Sequence, residues 1–247
     1  MMIYVYIALI GIVAGMVKGI SGFGSSLVTI PLLTMVLGVE RISEIVVIMI
    51  SFNVILNLLL VKENNALKLS GIKDFYLIVI FGAIFTLVGL YGLKNINEEV
   101  IIYIAASLIF VAILVLAYNL YLPNRIHLKP SILLQIIAGS LSGIGNGIAS
   151  IDGPPVVFYL SVTNTDKEKF KGTLATHFLV MGIIGVIFMM FLNMYSMDIL
   201  VNLLVMTVFT VIGLIAGMRI SRKLDEKTFI IVVLVILLVL DVKMIFF

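Results

Sequence analysis

Residues 19–31 read GISGFGSSLVTIP: three glycines, three serines, a threonine and a proline. They sit in a chain of 247 residues that is 62% hydrophobic and 12% charged, with a mean hydropathy of +1.29. Soluble domains carry roughly 45–50% apolar residues, so this is the composition of an integral membrane protein, and the stretch is an interruption of one of its helices. The charges are gathered into KENNALKLSGIKD (62–74), TDKEKFK (165–171) and RISRKLDEK (219–227), which read as solvated loops between long uncharged runs. No positive charge precedes the first apolar run, MMIYVYIALIGIVAGMV, and no small-residue cleavage site follows it, so it is expected to stay in the membrane rather than to be removed. The absence of cysteine excludes disulfides, thiolate metal sites and a cysteine nucleophile. The net charge of +3 comes from loop lysines and arginines that orient the chain in a bilayer, and nucleic acid is not an expected partner.

The interruption occurs twice. Sliding the chain against itself by 124 positions places Gly15 on Gly139, Gly19 on Gly143, Pro31 on Pro155, Asn53 on His177 and Gly89 on Gly213. After a small insertion, Asn97-Glu98 falls on Asp225-Glu226. The counterpart of the opening stretch is GIGNGIASIDGPP (143–155), with four glycines, Asn146, Ser150 and Asp152 ahead of a double proline. The chain therefore divides into an N-terminal repeat (1–121), a linker (122–130) and a C-terminal repeat (131–247), together one transmembrane domain. Apolar stretches run from 2 to 17, 26 to 39, 43 to 62, 74 to 93 and 99 to 121, and again from 131 to 148, 154 to 163, 173 to 194, 197 to 218 and 227 to 246. About 20 helical residues cross a bilayer. The last three stretches of each half reach that length and the first two fall short, which predicts a broken or re-entrant helical hairpin plus three transmembrane helices per half. Whether the short paired segments re-enter or cross fully is left open.

Three net crossings per half put the loops at 62–74, 119–130, 164–172 and 219–227 on one face, with twelve lysines and arginines. Arg41, Lys94 and Lys243 fall on the other. Cytoplasmic loops carry the basic excess, so both termini are expected outside the cytoplasm. An odd number of crossings gives the halves opposite orientation, the inverted repeat of many secondary transporters. The expected class is all-α, polytopic and multi-pass in the cytoplasmic membrane.

Irregular backbone at membrane depth survives only inside protein or along a wet cavity. Proline suits the first turn of a helix, so Pro31 and Pro154 or Pro155 are expected where second half-helices begin. Helix N-termini offer unpaired N–H groups and partial positive charge, and two of them meeting near the midplane make a site for an anion. Glycines at 19, 22, 24, 145, 147 and 153 let a ligand approach the backbone, or else permit tight helix packing. Ser21, Ser25, Ser26, Asn146 and Ser150 supply hydroxyl and amide donors. Lys18 draws an anion or neutralises a carboxylate, unless it snorkels to an interface. Asp152 is a helix N-cap or the binder of a coupling proton or cation. His177 and Asn53 face the centre in equivalent positions or pack inertly; with Asn57, Thr173 and Thr176 they form polar faces at helical spacing. Asp241 is expected at the interface and His127 in a loop.

The motifs GMVKGISGFGSSLVTIP (15–31) and GSLSGIGNGIASIDGPP (139–155), each opening a half of the chain, resemble those of the TauE/SafE family of membrane transporters. The resemblance covers nearly the whole chain. Family members commonly carry consecutive glycines in the first motif, whereas here serines intervene between Gly19, Gly22 and Gly24. Membership implies transport, chiefly export, of a small anion such as sulfite, a sulfonate or a related organic anion. No Walker-type ending follows Gly24, so energy comes from an ion gradient or the substrate's own. Two other classes stand beside this reading. An anion channel needs a continuous pore. An intramembrane enzyme would draw on Ser150, Asp152 and His177, but the first half has no equivalent acid or histidine, and no catalytic residue, metal or cofactor is expected. A homo-oligomer is compatible with Gly82, Gly89, Gly92, Gly182 and Gly185 as helix-contact positions.

Overall fold

In the computed structural model, residues 2–63, 72–122, 126, 128–221, 231, 234–235 and 237–243 are described. His127, most of the loops 62–74 and 219–227, and much of the last apolar stretch lie outside them. Every named element is helical: α1 (Met2–Ser21), α2 (Ser25–Leu37), a 3-10 turn (Val39–Arg41), α3 (Ile42–Glu63), α4 (Ile72–Asn95), α5 (Glu98–Tyr121), α6 (Ile132–Ala149), α7 (Gly153–Val162), α8 (Lys167–Phe191) and α9 (Met197–Ser221). Seven of the described helices are long and apolar enough to cross a membrane; α2 and α7 are the shorter apolar ones.

The first helix of each half is longer than its apolar run. α1 continues through Lys18 to Ser21 for 20 residues, and α6 spans 18, about 30 and 27 Å at helical rise. Both qualify as spans, which corrects the expectation that they are too short. Lys18 does not end α1 because its side chain is 4% exposed, hidden among partners rather than held in water.

Small residues decide which helices pair. Gly11, Gly15 and Gly19 of α1 meet Met206, Thr210 and Leu214 of α9 in turn, so these helices run parallel in close contact. A Cβ on Gly15 would collide with the Thr210 carbonyl. The other half repeats the arrangement: Gly139, Gly143 and Gly147 of α6 meet Ile78, Gly82 and Thr86 of α4, and a Cβ on Gly147 would lie 2.5 Å from both the Thr86 oxygen and the Leu90 nitrogen. The opening helix of each half thus packs against the fourth helix of the other. Gly182 and Gly185 of α8 lie against Val54 and Ile50 of α3, an antiparallel pair. These glycines, with Gly89 against Ile144 and Gly92 near Ile148, serve contacts within the chain.

The ends of the bundle sort as the basic loops require. Lys169 bonds Asp74 at 3.2 Å and the Leu128 N–H donates to the Val162 carbonyl. Glu63, Thr165, Lys171 and Ser221 line one cavity at this end. At the other end Lys94 donates to the Leu192 carbonyl at 3.0 Å, and the hydroxyls of Ser51 and Tyr195 meet at 2.7 Å. Asp241, expected at an interface, is 4% exposed. It shares an inward face with Leu237, one turn earlier, while Leu238, Val239 and Val242 point outward.

Candidate functional site

Three helices that start at the ends of the bundle carry ordinary side-chain caps. Asn97 accepts from the Glu99 N–H, Ser131 from Leu134 and Asp166 from Lys169. The two that start inside do not. α2 begins after Gly24, which is left-handed at φ 84°, and α7 begins after Asp152, and neither has a side-chain cap bond. The capping role expected of the Asp152 carboxylate is therefore not made. Uncapped N-termini leave N–H groups and positive potential unspent. Both ends line the same cavity of about 10 Å³, together with Lys18, Ser25, Ser26, Ser150 and Gly153, room for roughly one water.

The second proline motif falls where expected, with Pro154 and Pro155 in the first turn of α7. Pro31 does not: it lies inside α2, which starts six residues earlier at Ser25. The chain turns there because Gly22 and Gly24 both adopt φ 84°, a conformation that needs no Cβ. In the second break the left-handed position is held by Ser150 at φ 53°.

Hydrogen bonds join the two breaks. Lys18 Nζ donates to Asn53 Oδ1 at 2.7 Å, and Ser25 Oγ donates to the same oxygen at 2.9 Å. Asn53 Nδ2 donates to Ser26 Oγ at 3.3 Å, and that hydroxyl meets Ser150 Oγ, also at 3.3 Å. Lys18 therefore does not snorkel; its ammonium also stands 5.7 Å from the Phe178 ring centroid, within cation–π range. An ammonium has three hydrogens, and Asn53 takes one. Lys18 and Asp152 line one cavity without a direct ion pair among the described residues.

Other expected site residues are placed differently. Gly19 and Gly147 are used in helix contacts, and Gly145 sits beneath the Ile151 carbonyl in the second break. Asn146, 3% exposed, turns its Nδ2 toward Thr86 Oγ1 at 3.4 Å, into the α4–α6 contact rather than the cavity. Ser21 turns its hydroxyl onto the Val17 and Phe23 carbonyls. Asn57 Oδ1 and Thr176 Oγ1 are buried without a partner. His177 meets Ser142, not Ser150, with Nε2 and Oγ 2.8 Å apart, so the triad-like set is not assembled. Ser142 was not singled out from the sequence, yet the 124-residue shift that matches Asn53 to His177 also matches Lys18 to Ser142: each pair lies 35 positions apart and each is hydrogen-bonded. Phe23 also escaped notice. It lines the cavity against Gly153, and next to it Gly22 lines a larger vestibule.

That vestibule, about 450 Å³, is bounded by Gly19, Ser21 and Gly22 of the first break and by Glu63, Lys171 and Ser221 at the basic end. Hollows of about 320 and 280 Å³ at the opposite end are lined by glutamates 40, 98 and 99, and by Glu44 and Glu98. Neither includes a residue of either break.

Comparison with protein families matches residues 7–244 to the family described as Sulfite exporter TauE/SafE. No curated protein and no solved structure matches the chain.

Proposed function

Because the chain belongs to the sulfite exporter TauE/SafE family, a family of membrane transporters, we propose that it is a secondary transporter that moves a small anion, such as sulfite or a sulfonate, by alternating access around its two breaks. One observation carries this reading: two helix N-termini without side-chain caps share a single small cavity with the buried ammonium of Lys18. Helix N-termini and a lysine together are an anion receptor. Ser25, Ser26 and Ser150 supply hydroxyls around it, and Gly24 and Gly153 leave the backbone bare beside it. The exchanged pairing of α1 with α9 and α6 with α4 supports two inverted repeats moving against each other. The basic end is assigned to the cytoplasm, with both termini outside. The vestibule then opens from the cytoplasm as far as Gly22, next to Phe23 of the small cavity.

The test is counterflow of a labelled sulfonate in liposomes holding the purified protein. Saturable counterflow that Lys18→Ala and Asp152→Asn impair is the expected result. Flux equal to that of empty liposomes across a panel of small anions would sink the proposal, and non-saturating flux without counterflow would turn it into a channel.

A further inference from the structure

Beside the second break, α8 carries a titratable group, His177, whose two ring nitrogens look in different directions. Ser142 has one hydroxyl hydrogen, and it is given to the Asp152 carbonyl at 2.6 Å. The 2.8 Å contact between Ser142 and His177 must then be a donation from His177 Nε2–H. That fixes the tautomer, since a neutral imidazole has one N–H and one lone pair: the lone pair is on Nδ1. Nδ1 has no partner, and His177 is 0% exposed. Its ring lies against α4 at Gly82, where a Cβ would collide with Cε1 and stand 3.2 Å from Nδ1.

The seam that Nδ1 faces leads to the basic end. Lys169, Thr173 and His177 repeat every four residues along α8, as do Asp74, Ile78 and Gly82 along α4, so they form facing strips of two parallel helices. The strips are tied at the surface by the exposed Lys169–Asp74 pair and inside by the His177–Gly82 contact. Between these ties lies Thr173, 6% exposed, whose Oγ1 is also without a partner. Residues one turn apart have Cβ atoms about 6 Å apart, the span of one bridging water. Buried polar atoms without protein partners are where such waters sit.

The charged groups around the ring are Lys18, near the neighbouring Phe178, and Asp152, whose carbonyl Ser142 holds. The residues of other elements in contact with the ring, Gly82 on α4 and Ser142 on α6, carry no charge. By the 124-residue shift, the first half places the amine of Lys18 on Asn53 where the second places Ser142 on His177. The first pair carries an amine and the second an imidazole.

We propose that His177 is the proton-binding residue of the transport cycle: Nδ1 takes a proton from the α4–α8 seam when the anion fills the cavity and returns it when the anion leaves. This rests on the transport reading above. A proton adds to the lone pair, giving an imidazolium whose charge balances the incoming anion through Ser142, so anion and proton move together.

The experiment clamps the membrane potential of proteoliposomes at zero and imposes an inside-alkaline gradient of one pH unit. One proton per sulfonate accumulates it about tenfold, as 1.4 kcal/mol allows. His177→Gln is expected to lower that ratio to one, and Asp152→Asn to keep it at about tenfold whatever its rate. Thr173→Val is expected to slow gradient-driven uptake several-fold more than counterflow. A tenfold ratio surviving in His177→Gln, or lost only in Asp152→Asn, overturns the assignment. Wild-type counterflow without gradient-driven accumulation overturns proton coupling and spares transport; absent counterflow overturns transport itself. Should His177→Gln fail to fold, equal slowing of both fluxes in Thr173→Val overturns the relay.

Discussion

The two breaks occupy corresponding places and solve the same backbone problem with opposite chemistry. In the first, glycines at 22 and 24 take the left-handed turns, and Lys18, Ser25 and Ser26 are tied to Asn53. In the second, the left-handed residue is Ser150, the acid Asp152 stands before a proline-started helix, and His177 Nδ1 is left unpaired. The first side ties its lysine to Asn53 by one hydrogen bond; the other keeps a left-handed serine and a buried nitrogen without a partner. In the proposed transport cycle, the first break would hold the anion and the second would respond to it.

The largest effect expected from breaking this contrast is at Lys18. Lys18→Met removes a charge-assisted hydrogen bond, about 1.5–3 kcal/mol, so counterflow should fall roughly 10- to 150-fold. Ser142→Ala, at the equivalent position, should cost less than about tenfold; an equal or greater loss would erase the division of labour. Next come the hydroxyls where the breaks touch. Ser26→Ala and Ser150→Ala should each raise KM about 2- to 13-fold, as a neutral bond of 0.5–1.5 kcal/mol implies. Their double mutant should be non-additive, because the two oxygens are 3.3 Å apart. Strict additivity would mean that the breaks bind separately. The smallest effect is on stability. Ser150→Gly relieves a left-handed non-glycine residue, worth about 1–2 kcal/mol, and should raise the melting temperature of the detergent-solubilised protein. Gly24→Ala should lower it by a similar amount, since a Cβ there meets only Val17 and Leu27 at 3.6–3.7 Å and the penalty is conformational.

Composition and glycine-proline punctuation made both breaks, their helices and the basic end legible in the sequence. Lys18 was legible because a charge in an apolar run demands a reason. The exchanged helix pairing was not, since Gly15 and Gly147 announce close packing but not with whom. Pro31 misled because a proline at the seventh position of α2 looks, in sequence, like a helix start. Ser142 was hidden among the small residues of GSLSG, although its match to Lys18 by the repeat would have exposed it. Asn146 looked like a ligand donor because nothing in its neighbourhood reveals that it faces Thr86. Its direction follows from helix rotation, which four crowded glycines obscure.

The pairing of α1 with α9 also constrains how the molecule is made. α1 is made well before α9, yet it carries a flank of Gly11, Gly15 and Gly19 shaped for that later helix. Until α9 arrives, that flank faces lipid or a borrowed companion, and Lys18 waits without the asparagine on α3 that later receives it. A nascent chain stopped after α5 therefore leaves α1 without its final neighbour, and the N-terminal half expressed alone should be captured by insertion chaperones or degraded, then rescued by supplying the C-terminal half in trans.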